Sequence, residues 1–223
     1  MKLGVLFSGG KDSCFAAYLA RQHGHELTCL ISILSENKNS FMFHTPSIKK
    51  TKVQAGAMNI PLIIKKTKGE KETELEDLEK GIIEAKKDFE IEGIVTGAIA
   101  SVYQASKIQK ICNKLNLECF NPLWQKDELS YLHELIKNKF KIIVSGVFAY
   151  PLEKSFLGRE IDKKFIKEII ELNKKYKIHV AGEGGEFETF VLNCPLFSHE
   201  LKIKNYKDTK EGENSFRREL EVE

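Results

Sequence analysis

The sequence has 223 residues, of which 42% are hydrophobic, and its formal net charge is +3. This length allows one large domain or a medium domain with a smaller one, and the hydrophobic content is enough to build a core. Acidic and basic residues nearly balance, without the strong basic bias of a duplex-binding protein, so we expect no direct contact with nucleic acid.

Hydropathy and cysteine usage indicate where the protein works. No apolar run is long enough to cross a membrane, and strand-like residues begin almost at Met1, so we expect no transmembrane helix or signal peptide. Five scattered cysteines never form a CxxC pair, which indicates a reducing cytoplasm and small core residues, not a disulfide framework or a zinc site. They are Cys14, Cys29, Cys112, Cys119 and Cys194.

The first predicted element is a strand at 2–7 that runs into SGGKDS and then into a segment of helical composition at 14–21. Two glycines without a Cβ let backbone N–H groups approach a phosphate, and the helix N-terminus adds partial positive charge. Two hydroxyls and a lysine ammonium can add hydrogen bonds and a full charge. This pattern predicts an anion cradle formed by Ser8, Gly9, Gly10, Lys11, Asp12 and Ser13.

SGGKDS differs from the common phosphate-binding motifs. The chain has no GxxxxGK[ST] run, and the loop is not a GxGxxG motif. It resembles the PP-loop of ATP pyrophosphatases, which split ATP between the α and β phosphates. Asp12 is not a natural phosphate ligand, so beside a pyrophosphate we expect it to hold Mg²⁺ or to cap the helix. The alternative is a tight strand–helix turn with no ligand.

Strands and helices alternate up to residue 123. Further strands are predicted at 27–34, 61–65, 93–96 and 119–123, and helices at 48–58, 73–89 and 103–116. The strands are near-continuous apolar runs, as in a parallel sheet covered by helices. We therefore predict an α/β fold with a doubly wound, five-stranded parallel sheet over 1–123, with ligands bound beyond the carboxyl ends of its strands.

Residues 124–223 have a different pattern. Helices are predicted at 129–137 and 162–176 and a strand at 141–148, and after residue 178 strand-like segments follow one another without a helix. This predicts a smaller C-terminal α+β domain with antiparallel strands, with the boundary near Trp124. The lysines of the second helix are expected to form its solvated face. Residues 207–214 (KDTKEGEN) are predicted to form an exposed polar turn.

A second motif, GAIASVYQ, lies at 97–104, where the fourth strand should end. Gly97 and Ser101 are therefore expected to share the nucleotide crevice with SGGKDS. Ser101 is also a predicted N-cap, with Tyr103 and Gln104 in the first helical turn. Capping alone explains this serine about as well as a ligand does.

A third motif, GEGGEFET, lies at 182–189 and carries three glutamates. In an extended segment Glu186 and Glu188 would point to one face, and Glu183 could fold toward them across Gly184 and Gly185. Clustered carboxylates can hold Mg²⁺, bind a cationic group or deprotonate an amine nucleophile. The alternative is a glycine-rich hairpin with exposed acids.

These three motifs and four others are spread over nearly the whole chain. Taken together in their order along the chain, they resemble the diphthine–ammonia ligase family of the PP-loop superfamily. GEGGEFET and GAIASVYQ narrow the resemblance to this family, because many PP-loop enzymes share SGGKDS. The remaining motifs are FHTP (43–46), NPLW (121–124), FLGR (156–159) and CPLF (194–197).

The resemblance implies a fold of the adenine nucleotide alpha hydrolase type and an ATP-dependent amidation in the cytoplasm. The substrate would be diphthine, the modified histidine of translation elongation factor two, and ammonium would supply the nitrogen. An acyl-adenylate would form, and the products would be diphthamide, AMP and pyrophosphate, with Mg²⁺ as cofactor. The expected catalytic residues are Asp12, Glu183, Glu186 and Glu188, and the expected substrate contacts are Tyr103, Gln104, His44, Gly184 and Gly185.

Three features of the sequence allow more than one interpretation. The family pattern usually continues Tyr103-Gln104 with arginine, but this chain has Ala105, and Lys107 cannot reproduce a bidentate arginine contact. His44 fits a ligand and a loop histidine equally well, and a monomer and a homodimer are both open. Rival functions are a PP-loop enzyme that adenylates a tRNA base and an adenine nucleotide-binding protein without turnover.

Overall fold

A computed structural model of the chain describes residues 1–35, 48–68 and 73–223. The described residues divide into two units, Met1–Trp124 and Gln125–Glu223. The strands of the first unit are β1 (Lys2–Leu6), β2 (Glu26–Ser35), β3 (Leu62–Thr67), β4 (Gly93–Val95) and β5 (Glu118–Phe120). Its helices are α1 (Lys11–Gln22), α2 (Ile48–Met58), α3 (Thr73–Phe89) and α4 (Val102–Lys114).

The first unit contains a parallel sheet with the strand order β3-β2-β1-β4-β5. Apolar residues recur on one face of α3, where Leu78 and Ile82 are fully buried against Ile31 and Ile94 of the sheet. Burying each such side chain contributes about 1.5–3 kcal/mol. The arrangement confirms the predicted α/β fold with five parallel strands.

The parallel pairing determines where the loops of the first two motifs begin. β1 and β4 are hydrogen-bonded neighbours, with Val5 opposite Val95. Because parallel strands end at the same edge of a sheet, the segments 7–10 and 96–101 leave this edge side by side. This confirms that both motifs follow apolar strands of one sheet and begin at the same edge.

The second unit is built around an antiparallel sheet with the order β7-β6-β9-β8. The apolar face of its second helix is buried through Phe165, Ile166 and Ile169. This confirms the prediction of a smaller α+β part with antiparallel strands. Its elements are α5 (Glu128–Lys137), β6 (Lys141–Val147), a 3₁₀ turn (Lys154–Phe156), α6 (Lys163–Tyr176), β7 (Phe187–Asn193), β8 (Ile203–Gly212) and β9 (Ser215–Val222).

The predicted polar turn at 207–214 is wrong, because most of it is strand. β8 continues to Gly212 and pairs with β9, so only residues 213–214 turn. The charged residues that suggested a loop include Asp208, which is paired across the hairpin. The guanidinium of Arg218 donates to both oxygens of Asp208 at 2.7 and 2.9 Å and lies 3.9 Å from the centre of the Tyr206 ring. Cross-strand ion and ring pairs of this kind stabilise an exposed hairpin.

The fifth strand is also shorter than predicted. β5 ends at Phe120, and the N–H of Trp124 donates to the Asn121 carbonyl at 3.3 Å in the turn that follows. Pro122 lies within this turn and has no N–H for a sheet ladder, so the strand stops before it.

The cysteine prediction is confirmed for four of the five residues. All five are free, and only Cys119 is not fully buried. Among the helices that the structure describes, none combines the length and the apolar content that crossing a membrane requires.

Candidate functional site

The SGGKDS loop depends on a glycine in a left-handed conformation. Gly9 has φ 77°, and its carbonyl accepts a hydrogen bond of 2.9 Å from the buried Gln54 side chain of α2. A Cβ at this position would lie 2.2 Å from the Gln54 Oε1 atom. The backbone angle therefore favours glycine here, and a Cβ would also force the buried Gln54 side chain to move.

Two serine hydroxyls close the loop on itself. The Ser8 N–H donates to Ser13 Oγ at 3.3 Å, and the two hydroxyl oxygens are 3.2 Å apart. Gly10 lies at the N-cap position of α1 and provides no side-chain cap. The first amides of a helix have no partner within the helix, so they can bind an anion. The structure thus places the predicted loop at the N-terminus of a helix.

Lys11 and Asp12 form an ion pair at the start of α1. The side chain of Lys11 is 4% exposed and donates to the two Asp12 oxygens at 2.8 and 3.0 Å. The carboxylate of Asp12 is 32% exposed and can be reached from solvent. Lys11 thus carries its positive charge at the loop, with the neighbouring carboxylate as its partner.

Asp12 fits the expected role as a ligand of Mg²⁺. This ion is usually bound through one or two carboxylates together with water and substrate phosphates, so one accessible carboxylate beside a phosphate cradle is sufficient. Within the described ranges, no group of three or more acidic, histidine or cysteine side chains could hold a metal ion by itself. The donor set therefore fits a metal ion that arrives with a nucleotide.

The GAIASVYQ segment packs directly on the SGGKDS loop. A Cβ at Gly97 would lie 2.8 and 2.9 Å from the carbonyl carbon and oxygen of Asp12 and 3.0 Å from the Ser13 nitrogen. The structure therefore brings Gly97 against the first turn of α1. Ser101 caps α4 and accepts a hydrogen bond of 3.3 Å from the Gln104 N–H, which confirms the predicted cap.

Tyr103 lies next to Gln104 in the first turn of α4. The Lys107 ammonium is 5.5 Å from the centre of the Tyr103 ring, within the range of a cation–π contact. Lys107 thus lies beside the Tyr-Gln pair, two residues after Ala105, the position at which the family pattern usually has arginine. His44 lies outside the described residues.

We name residues 182–186 the acid loop. Its backbone makes two successive turns, with hydrogen bonds from the Gly182 N–H to the His179 carbonyl and from the Gly185 N–H to the Gly182 carbonyl, at 3.1 and 3.0 Å. Gly182 and Gly185 have φ of 76° and 82°, which other residues rarely adopt. β7 begins directly after the loop, at Phe187.

The glutamates of GEGGEFET have different surroundings. Glu186 is 7% exposed, and its Oε1 accepts a hydrogen bond of 2.8 Å from the backbone N–H of His179. Its Oε2 is buried and has no hydrogen-bond partner among the described residues. Gly184 leaves room for this carboxylate, since a Cβ there would lie 2.6 Å from Oε1. Glu188, in contrast, forms an ion pair with Arg217 of β9.

Sequence reasoning missed Glu128, which holds the segment that leads into the acid loop. Glu128, at the start of α5, lies 2.8 Å from the His179 Nδ1 atom and accepts a second hydrogen bond of 2.8 Å from the Ala181 N–H. This hydrogen bond to Glu128 raises the pKa of His179, and the charges of Glu186 and Glu183 raise it further against the opposing effect of burial. The sequence contains no signal for Glu128, which looks like an ordinary acid in a first helical turn.

Gln54 and Asn121 were also missed. Gln54 supports the SGGKDS loop from α2. In the sequence it cannot be distinguished from an ordinary polar residue of a helix. Asn121 follows β5 at the same sheet edge, and its Oδ1 is buried without a hydrogen-bond partner in the described part of the chain. The signal that could have found Asn121 is its place directly after a parallel strand.

Comparison with known proteins covers both units. The family described as "Diphthamide synthase N-terminal domain" matches residues 1–119, and the one described as "Diphthamide synthase C-terminal domain" matches residues 127–220. A protein from Mus musculus named diphthine–ammonia ligase is 33% identical over 97% of this chain and 88% of its own length. The protein of the same name from Homo sapiens is 34% identical over 91% of this chain and 83% of its own length.

A solved structure described as a predicted subunit of tRNA methyltransferase from Methanocaldococcus jannaschii has 21% identity and a TM-score of 0.45 over 87% of this chain and 98% of that chain. This likeness is too low to bear on function. The two family matches together cover most of the chain, and the curated relatives match over both units. The chain therefore belongs to the diphthine–ammonia ligase family of carbon–nitrogen ligases.

Proposed function

We propose that this chain amidates diphthine on translation elongation factor two with ammonium, using ATP and releasing AMP and pyrophosphate. The supporting observation is the SGGKDS loop, built at the N-terminus of α1 and packed against Gly97. Family membership and the names of the relatives agree with this reaction. The proposal assigns ATP binding to the first unit and binding of the diphthine and ammonium substrates to the second. It also places the enzyme in the cytoplasm, because all five cysteines are free.

The reaction needs activation because a carboxylate is a poor electrophile. Attack of the diphthine carboxylate on the α-phosphorus would form an acyl-adenylate and release pyrophosphate, and ammonia would then displace AMP. The amides at the start of α1 would bind the phosphates and stabilise the charge that develops during cleavage. Asp12 would hold Mg²⁺, which supplies further charge neutralisation when it is bound.

In this proposal the acid loop binds the cationic groups of the substrates and assists the attack of ammonia. Diphthine carries a trimethylammonium group and ammonium is also a cation, so carboxylates would attract both. Glu186 has one oxygen held by His179 and one buried oxygen without a partner in the described structure, which suits it to accept a proton as ammonia attacks. Glu188 is paired with Arg217, so its charge is already compensated.

The first experiment identifies the products. The protein is incubated with ATP, Mg²⁺, ammonium and elongation factor that carries diphthine, and the nucleotides are separated by chromatography. We expect AMP and pyrophosphate in equal amounts with diphthamide, and no AMP when diphthine is absent. Release of ADP and phosphate in the complete reaction would contradict cleavage at the α–β bond.

Asp12→Asn should lower kcat by about 100-fold or more while changing nucleotide affinity by much less, because the variant keeps the size of the side chain and loses the charge that holds the metal. Amidation rates and ATP dissociation constants measured on the same protein test this. Asp88→Asn, an exposed position on α3, is the control. Normal turnover of the Asp12 variant would exclude the metal-binding role.

Gly97→Ala should weaken ATP binding by about tenfold, because its methyl group would displace the first turn of α1. Titration calorimetry with ATP measures the change. Gly56→Ala in α2 is the matched control, since a Cβ there meets nothing within 4 Å. Equal affinity in the two variants would show that the contact between Gly97 and α1 is not needed for nucleotide binding.

Glu186→Gln should slow amide formation by about 10²- to 10⁴-fold and leave ATP affinity nearly unchanged, because glutamine keeps an oxygen for the His179 N–H but loses the basic carboxylate. The two quantities are measured on one preparation, with the exposed Glu171→Gln as the control. A loss of ATP affinity with an unchanged rate at saturating ATP would place Glu186 on the nucleotide side instead.

A further inference from the structure

Glu128 contacts the segment that leads into the acid loop with both of its carboxylate oxygens. One oxygen lies 2.8 Å from the ring nitrogen Nδ1 of His179, and the other accepts the N–H of Ala181 at 2.8 Å. Glu128 is also the first residue of α5, where the negative charge of a carboxylate interacts favourably with the helix N-terminus. A single side chain of another element therefore fixes two points of the segment 179–181.

The same segment holds the buried glutamate. The backbone N–H of His179 donates to Glu186 Oε1 at 2.8 Å, while the ring of His179 contacts Glu128. Glu186 thus receives its hydrogen bond from a residue whose position Glu128 determines. A buried carboxylate needs such a partner, because burying a charge without one is costly.

The backbone between these contacts cannot keep its shape by itself. Gly182 and Gly185 adopt left-handed φ angles, and Gly184 and Gly185 are exposed. Glycines lose more conformational freedom on ordering than other residues, so a loop rich in them needs contacts from outside to stay ordered. Glu128 supplies such contacts at the N-terminal end of the acid loop, and β7 begins at its C-terminal end.

The geometry points to Glu128 as a positioning residue for the amidation reaction. Through His179 and Ala181 it holds the acid loop in the conformation that places the Glu186 carboxylate. Glu128 acts through these residues and is not assigned a contact with the reacting atoms. This inference rests on the proposed function for its catalytic consequence, whereas the contacts themselves are independent of it.

The test compares two variants of Glu128 with a control on the same helix. Glu128→Ala should lower kcat for amidation by about 100-fold and leave the KM for ATP unchanged, because small displacements of reacting groups cost about this much. Glu128→Gln should recover part of the rate, since its amide oxygen can still accept the Ala181 N–H. Glu134→Ala removes an ion pair of 2.9 Å with Lys126 from α5 and should behave like the unchanged protein.

A second measurement does not depend on activity. In an NMR titration, the pKa of the His179 imidazole should fall in Glu128→Gln, because the carboxylate that favours the protonated ring is removed while Glu183 and Glu186 remain. The amide of Ala181 should exchange faster with solvent in Glu128→Ala than in Glu134→Ala. An unchanged His179 pKa and unchanged exchange would overturn the anchoring role even if the enzyme proved inactive.

The kinetic outcomes separate the two proposals. If the unchanged protein forms no AMP with diphthine present, the proposed function fails, and the NMR experiment still decides whether Glu128 anchors the loop. If the unchanged protein is active and Glu128→Ala matches Glu134→Ala in kcat, the positioning role is wrong. The positioning role would also be wrong if Glu128→Ala raised the KM for ATP by the same factor by which it lowered kcat, since that pattern indicates general loss of structure.

Discussion

The parallel pairing of β1 with β4 is the constraint on which the nucleotide half of the candidate site depends. It makes the segments after both strands leave the same sheet edge as neighbours. Gly97 then lies against Asp12 and Ser13 so closely that no side chain fits between the segments. The helix that begins at Lys11 is held by this contact from one side and by Gln54, through Gly9, from another. The cradle is therefore a product of sheet topology and of two glycines at close approach.

The SGGKDS loop combines hydrogen bonds between its own residues with a glycine at the N-cap of α1. The Ser8 and Ser13 hydroxyls lie within hydrogen-bond distance of each other and bond to the loop backbone, which holds the loop in its turn. Gly10 stands at the N-cap position of α1 and has no side chain that could cap the first amides of the helix. A capping serine or aspartate there would compete with an anion for the same N–H groups. Glycine at this position introduces no such competitor.

The glutamates of GEGGEFET differ in their burial and in their partners. All three are acids in one short motif, yet Glu188 is compensated by an arginine of β9, whereas Glu186 is buried with one backbone hydrogen bond. Glu186 has a buried oxygen that accepts no hydrogen bond from the described residues, and proton transfer needs an oxygen that can take up a proton. The proposed chemistry therefore rests on the difference between neighbouring acids and not on their number.

The sequence by itself determined the α/β class, the five parallel strands, the antiparallel second unit and the motif order that identifies the family. These follow from local patterns, since apolar runs, helical spacing and glycine positions are visible in the chain. It misjudged residues 207–214, because the cross-strand pairs that make this polar segment a strand come from Arg218 and its neighbours in β9. Glu128 and Gln54 were missed for the same reason. Only the tertiary structure brings Glu128 to His179 and Gln54 to Gly9. The first pair is separated by 51 positions in the sequence and the second by 45, and hydrogen bonds over such separations leave no periodic pattern in a sequence.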